Sequence, residues 1–307
     1  MARNVPEWLA PTTLEEALDL RARYGDEVTV VAGGTFIGIL MSQRIMMPTV
    51  FLALRNIREL AFIVGNLFDR TTAGGLPLRI GAMTTHRAVE RSAIIRQHWP
   101  ILAYTFSLVA SPRVRNQATV GGVLADADHA SDPPALLHAL DARAIARSVG
   151  GQREIPVEEL ITGYYETSLR PNELLVEVRI PPGVERAVYR KFRSRSSEDR
   201  PCVAVAAVQT NGKLRVVVGA VAERPQYFPD ICSLANSQQL SRELAAEIGC
   251  RYAESIHPIS DARGSAEYRR RVIAVEVRRA LEDFLSDRLS EANRESGVGG
   301  LYTVEED

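Results

Sequence analysis

The chain has 307 residues, of which 46% are hydrophobic and 24% are charged, and its formal net charge is -1. This composition is typical of a folded protein with one large domain or two medium ones. A net charge near zero provides no overall basic field that would attract nucleic acid or an anionic membrane. The N-terminal residues lack the apolar stretch of a secretory signal, and no run approaches the about 20 apolar residues that span a bilayer. We therefore expect a cytoplasmic protein with no nucleic-acid partner and no membrane span.

The first predicted elements are a helix, a strand and a tight turn. Thr13 and Glu16 have the spacing of a capping box, and Gly25 can end the helix in a left-handed conformation. The β-branched run from Val28 to Val31 predicts a buried strand, which Gly33-Gly34 ends in a tight turn. With a further strand near residues 50–54, these elements predict a small α/β lobe over about residues 1–60.

A second lobe is predicted over residues 61–182, so that the first domain spans 1–182. It contains a strand near Leu78 to Gly81, a helical segment from Trp99 to Val109 and another from Ala135 to Leu140. The sequence LLVEVRIP at 174–181 alternates as a half-exposed strand does, and Pro181-Pro182-Gly183 ends it. We place the domain boundary at these residues.

The last part of the chain predicts a small α+β domain over residues 183–292, followed by a tail at 293–307. Strands at Cys202 to Val208 and Leu214 to Val218 are joined through Asn211-Gly212 in a predicted antiparallel hairpin. Helical patterns follow at about 241–255 and 266–289. We assign the arginines at 269–271 and 278–279 to a solvent-exposed helix face.

Cysteine and histidine spacing argues against a metal site in this chain. The three cysteines, Cys202, Cys232 and Cys250, are far apart and form no C-x-x-C pair, so each is interpreted as a small buried hydrophobic residue. The five histidines include no H-E-x-x-H group. We therefore predict neither an iron–sulfur cluster nor metal catalysis here.

Two glycine turns are the candidates for binding an anionic group. In Ala32-Gly33-Gly34-Thr35, after the first strand, backbone amides could surround a phosphate while Thr35 offers a hydroxyl. Thr119-Val120-Gly121-Gly122 has the same chemistry, and two phosphate-binding turns suit a diphosphate. Neither turn matches the G-x-G-x-x-G or the P-loop pattern, and a plain structural turn is the alternative for each. Downstream, Ser131 or Asp132 could equally be a helix cap before Pro133-Pro134.

Four short motifs, taken in order and spacing, resemble a known family. They are AGGT at 32–35, TVGG at 119–122 with Ser131-Asp132 downstream, LLVEVRIP at 174–181, and GSAEYRR at 264–270. The chain resembles, over nearly its whole length, the FAD-binding subunit of the xanthine dehydrogenase and aerobic carbon monoxide dehydrogenase family of molybdenum hydroxylases. The resemblance implies an α+β fold: a two-lobed FAD-binding domain of the vanillyl-alcohol-oxidase-like type, followed by a small α+β C-terminal domain.

The resemblance also implies which residues bind FAD. Asp132 would hydrogen-bond the flavin, Lys191 would lie near it, and Leu175 and Val109 would contact it, with plain core packing as the alternative for the last two. The residues around the diphosphate would be those of the two turns: Val30, Val31, Ala32, Gly33, Gly34, Thr35, Phe36, Ile37, Thr119, Val120, Gly121, Gly122 and Val123.

Two positions depart from the family pattern. Family members often have asparagine after the second Gly-Gly, where this chain has Val123, so one hydrogen bond to the cofactor would be missing. Many also have an aromatic or glycine-rich cap after the basic strand, where this chain has Ser196 to Pro201. From these departures the sequence does not predict which residues cover the flavin.

The family division of labour implies the function. A molybdenum cofactor in a large subunit oxidises the substrate, [2Fe-2S] clusters in a small subunit relay electrons, and FAD in this chain passes them to a terminal acceptor, in a dimer of heterotrimers. No side chain of this chain would act as a catalytic acid or base. A self-contained flavin oxidase or dehydrogenase, and a scaffold subunit that has lost FAD, are the alternatives.

Overall fold

The structure is a computed structural model, and it describes residues 5–65, 76–196 and 198–286. The described helices are α1 (Leu14–Tyr24), α2 (Thr35–Ser42), α3 (His86–Arg91), α4 (Ala93–His98), α5 (Pro100–Ser107), α6 (Pro112–Arg115), α7 (Val120–Ala125), α8 (Pro133–Ala139), α9 (Val157–Leu160), α10 (Pro229–Ser237), α11 (Arg242–Ser255) and α12 (Ala266–Leu285). The described strands are β1 (Glu7–Leu9), β2 (Thr29–Val31), β3 (Val50–Ala53), β4 (Ile63–Val64), β5 (Leu78–Gly81), β6 (Arg143–Ser148), β7 (Gly151–Pro156), β8 (Ile161–Gly163), β9 (Glu166–Thr167), β10 (Leu174–Ile180), β11 (Val184–Phe192), β12 (Val203–Thr210), β13 (Lys213–Gly219) and β14 (Gln226–Tyr227).

The first lobe is a parallel three-stranded sheet, in the order β1-β3-β2, against which α1 packs. The predicted cap of α1 is confirmed, because Thr13 Oγ1 accepts a hydrogen bond from the Glu16 amide at 3.2 Å. The Glu16 carboxylate accepts from the Thr12 amide, one residue before the cap, at 2.9 Å. Gly25 ends the helix at the predicted position and donates its amide to Arg21 O, but with a φ of 51° and a ψ of −126° it does not adopt the predicted left-handed helical conformation.

The second lobe contains a five-stranded antiparallel sheet in the order β4-β5-β10-β6-β7. The prediction that residues 174–181 form a half-exposed strand was wrong, because both faces of β10 are covered and the strand is buried along almost its whole length. Leu174 and Val176 pack against the first lobe, whereas Val178 and Ile180 pack in the larger core of the second lobe. The one acidic side chain of β10, Glu177, is buried and pairs with Arg79 and Arg179 at 2.6 and 2.7 Å.

The C-terminal part is an antiparallel sheet, β11-β12-β13-β14, covered by helices. The predicted hairpin is confirmed, since β12 and β13 pair in antiparallel register on either side of Asn211-Gly212. Strand β12 is buried on both faces. Ala204 and Ala206 lie in the core of the second lobe, and Val203 and Val205 lie in a separate core with α11 and α12. The sheet therefore joins the C-terminal helices to the rest of the molecule.

Two predictions about single residues in this region were wrong. Arg269 is fully buried, because its guanidinium donates to Asp261 Oδ1 at 2.7 Å and to Ile259 O at 2.8 Å, whereas Arg271 on the same helix is exposed. Cys250 is exposed, whereas Cys202 and Cys232 are buried as predicted. Within the described residues no helix combines the length and the apolarity needed to cross a membrane.

Candidate cofactor site

The first glycine turn connects β2 to α2 and presents a row of backbone amides. Gly34 is the residue before α2 and has a φ of 69°, which glycine adopts without strain. The first hydrogen bond of the helix runs from the Gly38 amide to Gly34 O at 2.9 Å. Within the described part of the chain, the amides from Gly33 to Ile37 donate to no protein acceptor. Such a helix N-terminus, with free donors and a positive dipole end, favours an anionic ligand.

The two glycine turns are packed directly against each other. A Cβ atom at Gly33 would lie 1.9 Å from Gln117 O and 2.6 Å from the carbon of the same carbonyl. A Cβ atom at Gly122 would lie 2.8 Å from Thr119 Oγ1 and 3.7 Å from Ala32 Cβ. The residues from Val30 to Ile37 and from Thr119 to Val123, predicted to share one ligand, therefore lie side by side, and only glycine fits at Gly33.

The second turn differs from the prediction because its amides already have protein partners. The Val120 amide donates to Thr84 O at 3.0 Å, and the Gly121 amide donates to Ala82 O at 2.8 Å. Thr119 is the N-cap of α7: its hydroxyl accepts from the Gly122 amide at 3.0 Å and its carbonyl from the Val123 amide at 3.1 Å. The amides from Val120 to Val123 are therefore already hydrogen-bonded within the protein, unlike the predicted free amides of a phosphate-binding turn.

Asp132 and Lys191 form a buried ion pair, with 2.9 Å between Asp132 Oδ2 and Lys191 Nζ. Asp132 Oδ1 accepts a hydrogen bond from Tyr189 Oη at 2.9 Å, and Lys191 also donates to Leu108 O at 2.8 Å. Burial raises the pKa of Asp132 and lowers that of Lys191, and the opposite charge of each partner counteracts both shifts. Although Asp132 occupies the position before α8, its side chain caps no amide, so the helix-cap alternative is not what the structure shows.

Val109 and Leu175, the two predicted apolar contacts, lie in different surroundings. Leu175 is 6% exposed and belongs to the core of the second lobe, which agrees with the core-packing alternative for this residue. Val109 is half-buried in the segment after α5, next to the Leu108 carbonyl that Lys191 binds. Arg115 holds this segment from the other side, donating to Val109 O at 3.0 Å and Ala110 O at 2.8 Å.

Arg115 is one of several site residues that the sequence did not reveal. It is buried and its guanidinium pairs with Glu90 Oε2 at 2.9 Å. A buried arginine that binds both a carboxylate and two carbonyls fixes the backbone of the segment that it touches. The only sequence signal for it was the basic character of residues 113–115, which is common on solvent-exposed helices.

A second group missed in the sequence lies around Tyr165. The Phe36 ring at the start of α2 stacks on Tyr165 with 5.5 Å between ring centroids, and the Tyr165 amide donates to Ala127 O at 3.2 Å. Nearby, Arg200 Nη1 and the buried Asp128 Oδ2 form an ion pair at 2.6 Å. Burial and the adjacent Asp128 raise the pKa of Asp126 to about 7. The segment at 126–131 is thus tied to the first turn by an aromatic contact and to the 196–201 stretch by a salt bridge.

The residues present fit a dinucleotide cofactor. The first turn has five amides that donate to no acceptor among the described residues, and these suit a diphosphate. The glycine at 33 lets two backbone segments meet where a side chain would separate them. The Asp132, Tyr189 and Lys191 cluster offers polar atoms of both charges at a second place. In the described part of the chain, no three or more His, Cys, Asp or Glu side chains group in a way that could hold a metal ion. These features define a candidate dinucleotide-binding site.

The family is shown by its two domains. The FAD binding domain in molybdopterin dehydrogenase matches residues 3–183, and the carbon monoxide dehydrogenase flavoprotein C-terminal domain matches residues 187–284. This chain belongs to the family of FAD-binding medium subunits of molybdenum hydroxylases, as the sequence motifs indicated. The predicted fold class, oxidoreductase function and FAD cofactor are confirmed at this level.

Individual relatives are similar over almost their whole length. The alpha subunit of the 6-hydroxypseudooxynicotine dehydrogenase complex of Paenarthrobacter nicotinovorans is 34% identical, covering 90% of this chain and 93% of that one. The carbon monoxide dehydrogenase medium chain of Afipia carboxidovorans is 31% identical, covering 89% and 94%. A crystal structure of the Hydrogenophaga pseudoflava carbon monoxide dehydrogenase superposes with a TM-score of 0.83 at 28% identity, covering 92% and 98%.

Proposed function

We propose that this chain carries electrons from the [2Fe-2S] clusters of a small partner subunit, through its FAD, to a terminal acceptor. The clusters would be reduced by a molybdenum cofactor in a large partner subunit that oxidises the organic substrate. The observation that carries the proposal is the row of free amides from Gly33 to Ile37 at the N-terminus of α2, in a chain of this family. When bound, FAD supplies the one-electron and two-electron chemistry of the subunit.

The protein residues would bind and orient the cofactor. The amides of the first turn would hold the diphosphate, with the Thr35 hydroxyl as an additional donor and Val30 to Ala32 forming the end of the strand beside it. The second turn would pack against the diphosphate through Val120, Gly121, Gly122 and Val123. It would do so without their amides, because these already donate to protein oxygens.

The buried Asp132 and Lys191 pair would position the flavin ring, beside Val109 and above the core that contains Leu175. Tyr189 and Arg115 hold the pair and the Val109 segment in place, so that polar atoms near the ring need no rearrangement when the ring changes charge. No residue of the site is assigned as an acid or base toward the organic substrate. A cytoplasmic location and a dimer of heterotrimers stay predictions.

The experiment is an absorption spectrum of the chain purified with its partner subunits, followed by release and identification of the chromophore. We expect non-covalent FAD in the chain, together with iron–sulfur and molybdenum signals in the subunits that purify with it. A folded, intact complex without flavin would contradict the proposal and leave the scaffold role. A yellow chain that oxidises substrate with no partner present would instead support a self-contained flavin oxidase.

A further inference from the structure

Helix α2 is apolar on all sides and yet has no buried residue. Its sequence is TFIGILMS, and the exposed apolar side chains of the helix and of the segment after it are Ile39, Met41, Ile45 and Met47, at 46%, 38%, 68% and 80% exposure. We call these four residues the α2 surface. Helices that are apolar all round lie in protein interiors, and a cluster of exposed apolar side chains marks an interaction site. Its methionines can adapt to the shape of a partner.

We propose that the α2 surface binds the iron–sulfur subunit of the complex, an inference that rests on the electron-transfer role proposed above. The first observation for this partner is position. The same helix provides the free amides of the cofactor site at its N-terminus, and Phe36 in its first turn stacks on Tyr165 at 5.5 Å. A protein seated on α2 therefore borders the cofactor, as an electron donor to that cofactor must.

The second observation is charge. No charged residue occurs from Val28 to Gln43, and Arg44 is the single charged residue between Glu27 and Arg55. Helices that lie on anionic membranes carry several lysines or arginines beside the apolar face, and this segment lacks them. A neutral apolar surface matches another neutral apolar protein surface and gains little from long-range attraction. We therefore expect the association to be nearly independent of salt.

The test uses the complex of the three subunits, purified through a tag on this chain. In the double variant Ile39→Lys/Met47→Lys, two ammonium groups would lie in an apolar contact without partners. We expect the amount of small subunit retained, measured from protein bands and from iron and acid-labile sulfide, to fall at least about tenfold. FAD content should remain that of the wild type, because neither side chain lies in the cofactor site.

A matched control places lysines at two other exposed apolar positions, Val149→Lys/Val275→Lys. Val149 is 61% exposed at the β6–β7 turn and Val275 is 37% exposed on α12, both outside the α2 surface. This control should retain the small subunit in full, before and after a wash with 1 M salt (about a 3 Å screening length). If the first variant fails to fold, Ile45→Lys alone tests the same surface, since Ile45 is already 68% exposed.

The remaining outcomes either overturn the proposal or assign the α2 surface to another partner. Full retention of the small subunit by a folded variant overturns the proposal, and so does loss of the large subunit with the small one retained. If both are lost, the purified full chain is mixed with the small subunit alone, and equal binding by variant and wild type overturns the proposal. A variant that changes only self-association, or only binding to phosphatidylserine vesicles, assigns the surface to a second copy or to a membrane. Absence of FAD from the wild-type complex would instead contradict the proposed function, independently of these results.

Discussion

The two glycine turns have nearly the same sequence chemistry and opposite structural roles. After Ala32 the chain enters a helix whose first amides bind no acceptor in the described part of the chain, whereas after Thr119 it enters a helix whose first amides all bind protein oxygens. The difference arises from neighbours that are distant in sequence, since Ala82 and Thr84 supply the oxygens for the second turn. Gly-Gly thus indicates close backbone packing in both cases, and the acceptors around each turn decide which of its amides are free.

Gly33→Ala should have the largest effect, because it affects both packing and cofactor. The new Cβ would lie 1.9 Å from Gln117 O, and a backbone carbonyl cannot rotate away as a side chain can. We expect a loss of about 1–3 kcal/mol in the free energy of unfolding and loss of bound FAD. Urea unfolding and FAD released per chain measure the two effects.

Gly38→Ala is the control in the same segment, because nothing lies within 4 Å of a Cβ there. This variant should keep its FAD and be equally stable or slightly more stable, as expected for an exposed helical glycine replaced by alanine. Full FAD content and normal stability in Gly33→Ala would show that the turns are not packed as described.

Gly121→Ala should destabilise the protein without removing the cofactor contacts. Its Cβ would lie 2.6 Å from Ala82 Cβ and 2.9 Å from Ala82 O. A cost of about 1–3 kcal/mol is expected in urea unfolding, with FAD still bound below the unfolding transition. If Gly121→Ala lost FAD at full stability, the second turn would have to be a ligand site after all.

The buried His86 lies against the second turn and makes the free energy of unfolding depend on pH. The ring is 1% exposed, lies 3.1 Å from Thr119 O through Nε2, and burial lowers its pKa from 6.5 to about 4. Because the folded state favours the neutral ring, stability is lost as pH falls from 6.5 through 4, by up to about 2 kcal/mol between pH 7 and pH 5.

The variant His86→Gln should lack this loss, as measured by urea unfolding at pH 7 and pH 5. Two other groups change the stability of both proteins over this pH range. Burial lowers the pKa of His138 to about 3, which adds to the loss of stability at low pH. The pKa of Asp126 is raised to about 7, which opposes that loss. The exposed His257→Gln serves as control and should follow the wild type. An unchanged pH dependence in His86→Gln would mean that the ring is accessible to protons in the folded state.

The two threonines give the smallest and most direct contrast. Thr119→Ala removes an N-cap and should cost about 1 kcal/mol of stability with FAD affinity unchanged. Thr35→Ala should leave stability unchanged and weaken FAD binding by up to about tenfold, since it removes one hydrogen-bond donor to the ligand. Titration of the apoprotein with FAD and urea unfolding of both variants measure the contrast, and the opposite pattern would exchange the roles of the turns.

The sequence was sufficient for elements that depend on near neighbours. The cap at Thr13, the end of α1 at Gly25 and the hairpin across Asn211-Gly212 are set by residues within a few positions, and all three were predicted. The order of four motifs was enough for the family. The proximity of the two turns was implied only through the predicted shared ligand, and the contact between Gly33 and Gln117 was not predicted.

Two of the wrong predictions depend on contacts that the local sequence pattern does not contain. Periodicity made β10 a half-exposed strand, but the first lobe covers part of it, the core of the second lobe covers the rest, and Arg79 neutralises Glu177. The arginine run suggested a solvent-exposed face, yet a loop eight residues earlier places Asp261 against Arg269. A charge pattern on one helix gives no information on what packs against it.

Lys191 lies on β11, in the C-terminal sheet, whereas its partner Asp132 lies before α8 in the preceding domain. The two family matches meet between residues 183 and 187, so the boundary in sequence passes through the middle of one ion pair. An exchange of C-terminal domains between relatives would therefore also transplant part of the proposed flavin environment. A chimera keeps the site only if its new first strand brings a tyrosine and a lysine two residues apart, and a chain ending at 183 would leave the Asp132 carboxylate without its cation.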